Sequence, residues 1–149
     1  MGIHDVDANE YNKLLSEKLK EFPELVAPEW IHFVKSSVAR ERPILEVDFW
    51  HKRGAGILRQ MYVRGVLGVS RLRTRYGGRK DRGHQRPEFR KASGKIIRLL
   101  LQQLEAAGLL KKVKGKRSGR SLTTKGKELV EKTGTTHSAH SKKSKEASE

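Results

Sequence analysis

The chain has no cysteine, so disulfides and thiolate metal sites are excluded outright. No apolar run approaches the roughly 18 residues of a membrane span. The opening MGIHDVDANEYNK lacks the basic-then-apolar layout of a secretory signal, and an intracellular, cytoplasmic protein is expected. Acidic residues are also scarce over most of the chain. From residue 49 to residue 133 they are Asp81, Glu88, Glu105, Glu128 and Glu131, and no pair shares an evident site. Metal-assisted or acid–base chemistry needs clustered carboxylates or a poised base. His51 and His84 stand alone in basic stretches, where a ring is usually solvated or touches phosphate. His137 and His140 have no further ligand near them and do not make a metal site. No enzyme, metal or cofactor is expected.

Positive charge is abundant. The 149 residues carry 33 Lys and Arg against 17 Asp and Glu, a net charge of +16. Residues 1–48 hold six basic and ten acidic side chains, net −4, whereas residues 49–149 hold 27 and seven, net +20. A pI near 10.4 with the excess gathered on one part of the chain is the electrostatic footprint of a nucleic-acid binder. The length fits one domain, over residues 1–133, followed by a low-complexity tail, GTTHSAHSKKSKEASE, at 134–149. That tail is too polar to fold alone.

The stretch FWHKRGAGILRQMYVRGVLG at 49–68 organises the rest. At 100° per residue Trp50, Ile57, Leu58, Met61 and Tyr62 share one arc, with Gly54 and Gly65 inside it. Lys52, Arg53, Arg59 and Arg64 fall opposite, with Gln60 among them. A face charged only for solubility usually mixes signs; this one has four cations and no acid. Asp48 is placed to cap the helix, and Gly65 or Gly68 to end it. The small residues at 54–56 weaken the helix and imply a close approach to its backbone.

Upstream, Asp7 and Glu10 suggest a capping box with Val6 stapled onto Tyr11. Tyr11, Leu14, Leu15, Leu19 and Phe22 follow at helical spacing until Pro23. Pro28 opens a short helix, PEWIHFVKSS, with Trp30, Phe33 and Val34 expected in the core. ARERPILEVD reads as a linker. Downstream, residues 70–76 suggest a short helix broken by Gly77-Gly78. Residues 79–90 read as a loop, expected to become ordered only on a partner.

From Arg71 to Lys91 the basic residues are Arg71, Arg73, Arg75, Arg79, Lys80, Arg82, Arg86, Arg90 and Lys91. Arginine's planar fork suits phosphate, and Gly77, Gly78 and Gly83 allow close backbone approach. Residues 93–107 form the clearest helix, with Ile96, Ile97, Leu100, Leu101 and Leu104 as its stripe and Gly108 as its stop. Two short strands, 109–113 and 120–123, follow around a basic turn carrying Lys116 and Arg117, with Arg120 just beyond it. Thr124 would cap a last helix carrying Leu129 and Val130.

Helices followed by a basic hairpin give the order of a winged helix, mainly α, with about five helices around the central one. A winged-helix DNA regulator is one reading, but regulators usually dimerise to read half-sites, and no apolar helix face is spare for a dimer. Arginine spread over several elements suits docking on a nucleic-acid backbone better than base readout.

The run FWHKRGAGILRQMYVRGVLGVSRLRTRYGGRKDRG, with SGKIIRLLLQQLEAAGLL and GRSLTTKGKELV, closely resembles the archaeal and eukaryotic small-subunit ribosomal protein nineteen, the S-nineteen-e family. The resemblance covers roughly residues 5–132. It implies a winged-helix variant packed around a central amphipathic helix, bound to rRNA in the head of the small subunit and associated with its late maturation. It also implies neighbouring head proteins as partners, a monomer within the particle and no membrane. The family's RNA-facing positions map onto Arg53, Arg59, Arg98, Gly77, Gly78 and Arg79. The tail departs from the pattern and receives no role.

Overall fold

The computed structural model describes residues 7–115 and 118–134. Helix α1 spans Ala8–Leu19, a 3-10 helix Glu29–Phe33, α2 Phe49–Arg64, α3 Val69–Arg75 and α4 Gly94–Ala106. Residues 124–134 form a fifth helix, α5. Two antiparallel hairpins complete the described residues, β1 (Gly78–Arg82) with β2 (Gln85–Arg90) and β3 (Leu110–Val113) with β4 (Gly119–Leu122). An isolated bridge between Leu67 and Arg120 adds a third extended segment beside β4. With α2, α3 and α4 this makes the winged-helix plan, mainly α, with β3–β4 as the wing.

The core forms because α2 and α4 each carry one apolar face. Trp50, Ile57, Leu58 and Met61 of α2 meet Ile96, Ile97, Leu100, Leu101 and Leu104 of α4, all but excluded from solvent, with Tyr11, Leu15 and Leu19 of α1. At Gly54 the helices α1 and α4 pack close to α2, but a Cβ there would make only ordinary contacts, 3.5 Å from Leu19 and 3.8 Å from Leu100, so the packing does not require glycine. Trp50 and Tyr11, drawn into this core, find partners for their polar atoms. The Trp50 indole N–H donates to Gln103 Oε1 at 2.7 Å, and Gln103 Nε2 donates to the Val26 carbonyl at 2.8 Å. The Tyr11 hydroxyl donates to the Val130 carbonyl at 2.8 Å, tying α1 to α5, and burial pushes its pKa well up.

Several sequence expectations are corrected. Residues 79–90 are not a loop: they are most of a paired hairpin with Arg79 opposite Phe89 and Lys80 opposite Glu88. Gly83, at φ +71°, takes the first central position of the tight turn, and Asp81 Oδ1 accepts its N–H at 2.9 Å. The hairpin stands where a helix-turn-helix would have only its turn, between α3 and α4. Phe33 is not in the core; it is 87% exposed, and Ile31 is buried in its place. The cause is the tighter 3-10 winding of 29–33, preceded by extended Pro28, which shifts the inward position.

Asp7 caps α1, accepting from the Glu10 N–H at 3.3 Å; the Val6 staple lies outside the described residues. Asp48 stands at the start of α2 without a capping hydrogen bond, since its carboxylate pairs with Lys20 at 2.8 Å. Thr123, not Thr124, caps α5, its hydroxyl accepting from the Gly126 N–H at 3.2 Å. Gly65 ends α2 at φ +73°. The tail from 135 onward lies outside the described residues.

Candidate nucleic-acid interface

Most of the polar side of α2 faces a cleft, with Arg64 exposed at its end. Together with α1, the 36–40 segment and the end of α3, α2 walls this cleft of about 560 Å³. Five cations line it: Arg40, Lys52, Arg53, Arg59 and Arg75, with no carboxylate among the lining residues. Like charges gathered in this way repel one another, so the site favours an anion that enters it. Lys52 is held at the cleft by Glu46, 2.7 Å away. Arg59 Nε and Asn12 Oδ1, both on lining residues, are buried with no hydrogen-bond partner.

Arg53 is placed by aromatics. Its guanidinium lies 4.1 Å from the centre of the Tyr76 ring and 5.0 Å from that of Phe49. Such contacts are attractive and fix the plane of the fork. Burial lowers its pKa, which still leaves an arginine charged at neutral pH. Gly56 makes room for this arrangement: a Cβ there would sit 3.1 Å from the Tyr76 hydroxyl. The close approach implied by the small residues of α2 is thus made in part by the protein's own Tyr76.

Tyr76 ends α3 and leads into the β1–β2 hairpin, so the cleft and the hairpin adjoin. At Gly77 a Cβ would meet the Arg90 carbonyl at 2.6 Å and the Phe89 ring at 2.7 Å. The hairpin base is further pinned by the Ala92 N–H donating to the Arg73 carbonyl at 3.0 Å and by a bridge from Ser37 to Ala92. Every residue from Asp81 to Lys91 is exposed. A second cleft of about 460 Å³ lies between the hairpin and residues 35–41; Arg40 lines both.

The sequence-predicted cations therefore divide. Lys52, Arg53, Arg59 and Arg75 converge on the first cleft, with Gly77 on its wall. Gly78, Arg79, Lys80, Arg82, Arg86, Arg90 and Lys91 lie on or beside the hairpin. Within it Glu88 pairs with Arg90 at 2.8 Å and with Arg82 at 3.5 Å, and Arg82 also donates to the Arg86 carbonyl. Arg73 is turned inward, its Nε donating to the Ala92 carbonyl at 2.9 Å. Arg120 is likewise engaged by Glu105 at 3.1 Å. Arg64, Arg71 and Arg98 are exposed, outside the lining of the first cleft. Lys116 and Arg117 lie outside the described residues. Sequence reasoning missed Arg40 and Asn12, which belong to the acidic part of the chain and reach the cleft only through the tertiary fold.

Fold and site together define a basic winged-helix protein whose charge surrounds one cleft and a protruding hairpin. Among the described residues no group of three or more His, Asp or Glu is placed to hold a metal, and no helix is long and apolar enough to cross a membrane. Comparison with known proteins agrees with this class. The family model described as ribosomal protein S19e matches residues 2–140. The small ribosomal subunit protein eS19 of Thermoplasma volcanium is 41% identical over 117 residues, covering 78% of this chain and 76% of its own length. The protein of the same name from Aeropyrum pernix is 40% identical over 131 residues, covering 87% and 84%. That of Oryza sativa is 35% identical over 125 residues, with 84% of each covered. The chain belongs to the ribosomal protein S19e family.

Proposed function

We propose that this protein is a structural constituent of the small ribosomal subunit. In this reading it binds rRNA through the cleft on α2 and the β1–β2 hairpin, and it lies in the subunit head as a monomer beside other head proteins. It supports a late step of subunit assembly in the cytoplasm. The observation that carries the reading is the cleft lined by five cations and no acid, in a chain whose relatives are named small ribosomal subunit proteins. Phosphates entering the cleft would relieve the repulsion among Arg40, Arg53, Arg59 and Arg75, and Arg53 is already oriented by its two rings. Of the large hydrophobic side chains exposed among the described residues, only Val63 lies on an α-helix, which gives little support to a dimeric DNA regulator.

Sedimentation tests this. The purified protein should run as a monomer alone and co-sediment with small subunits lacking it. Its affinity for their rRNA should fall steeply with salt, by about 0.7–0.9 log units per phosphate neutralised for each log unit of salt. A dimer that prefers duplex DNA, or a flat salt dependence, would refute the proposal.

A further inference from the structure

Phe89 is at odds with its surroundings. It lies on β2, where every position is exposed, and it is itself 46% exposed. It is not among the half-buried hydrophobics that pack against the core. The ring is nonetheless seated, because its Cζ edge rests over Gly77, where a Cβ would come within 2.7 Å. Directly opposite on β1 stands Arg79, and directly opposed residues of an antiparallel pair share a face. Among the described residues Arg79 has no ion-pair partner. The hairpin's Glu88 is adjacent to Phe89 in the strand and so points to the other face, where Arg90 and Arg82 hold it. One face of the hairpin is therefore charge-paired. The other presents an aromatic ring beside a free guanidinium.

We infer that Phe89 is a stacking platform for an unpaired RNA base, with Arg79 holding the adjacent phosphate. The inference rests on the rRNA reading above and deepens it: the hairpin takes a single-stranded or bulged nucleotide, while the cleft takes backbone. Aromatic–base stacking tolerates any base, and proteins recognise RNA mainly where bases are unstacked and free to lie on such rings. An apolar side chain of a neighbouring protein would also cover the ring. Arg79 on the ring's own face, with Lys80 and Arg86 on the other face of the same hairpin, favours the nucleic acid.

The test compares Phe89→Leu and Phe89→Tyr in the full chain, with fluorescence anisotropy at fixed salt. The probes are a single-stranded 12-nucleotide oligoadenylate and a 12-base-pair RNA duplex. Phe89→Leu should weaken single-strand binding roughly five- to 150-fold and leave duplex binding within about twofold. Phe89→Tyr, which keeps the ring, should match wild type on both. Equal single-strand binding by Phe89→Leu and wild type would overturn the platform alone. So would equal losses on both probes, or unchanged RNA binding with failed entry into subunits, which would assign the ring to a protein neighbour. A wild-type protein that bound neither RNA would overturn the rRNA reading, and the platform with it.

Discussion

Replacing Gly77 with alanine should release the hairpin without unfolding the domain. The new Cβ would lie 2.6 Å from the Arg90 carbonyl oxygen, 2.7 Å from Phe89 Cζ and 3.2 Å from the Arg73 carbonyl oxygen. The ring can swing away, but the two carbonyls cannot move without their strands and helices. Arg90 pairs in register with Gly78, and the Arg73 carbonyl accepts from Ala92. Gly77 is not among the residues with positive φ, so the constraint is space and not dihedral angle. Overpacking of this kind costs about 1–3 kcal/mol. A two-stranded hairpin exposed along β2 is only marginally stable by itself, so β2 should pull away from Gly77 before the core feels the strain. That corresponds to a roughly five- to 150-fold larger open fraction. Amide hydrogen exchange resolves it: residues 78–90 should exchange faster by about that factor, while α4 stays as protected as in wild type. Unchanged exchange in the hairpin, or equal acceleration in α4, would refute the reasoning.

Other substitutions probe other links in the account. Arg59→Glu should keep the helical signal yet reduce the salt slope of rRNA binding by about 0.7–0.9, whereas Leu58→Asp buries an unpaired charge at a fully buried site and should lose about 4 kcal/mol or more. Circular dichroism and melting that found the two equally damaged would contradict the two-faced reading of α2. Gln103→Leu leaves the Trp50 N–H without its 2.7 Å acceptor and should cost about 1–3 kcal/mol, a fall of roughly 3–10 °C in Tm; no change would show that the bond carries no stability. His51 is held neutral chiefly by burial, which lowers its pKa from the ordinary 6.5, with a hydrogen bond to the Leu25 backbone opposing. The unfolded chain then binds the proton more readily, so this contribution to stability is full above about pH 6.5 and is lost as the pH falls. His51→Gln should flatten the acid side of the Tm–pH curve, and an unchanged curve would count against it.

The helices that carry the core were legible because their patterns are strong. The stripe from Ile96 to Leu104 and the arc from Trp50 to Met61 are buried as periodicity predicts. The β1–β2 hairpin was not legible. GRKDR and QRPEFR have no apolar alternation, since neither face is buried, and their pairing depends on backbone bonds and the turn at Gly83. Phe33 misled because helical spacing was assumed where the chain winds as a 3-10 helix. The basic residues of α2 were legible as a face but not as a cleft. That shape needs α1 and residues 36–40, which supply Asn12 and Arg40 from the acidic part of the chain. Nothing in the sequence spacing indicated that Arg73 and Arg120 would turn to the protein's own Ala92 and Glu105.

The absence of cysteine makes the central claim directly testable. Gln60 lines the cationic cleft, and Glu17 lines a separate cleft with Leu14 and Thr133. Gln60→Cys and Glu17→Cys proteins, each carrying one short thiol-linked photocrosslinker, can be assembled into small subunits and irradiated. The probe at position 60 should crosslink to rRNA at a few discrete nucleotides, and the probe at 17 should do so far less. Crosslinks from position 60 to protein alone, or stronger rRNA crosslinking from position 17, would contradict binding of rRNA in the cleft.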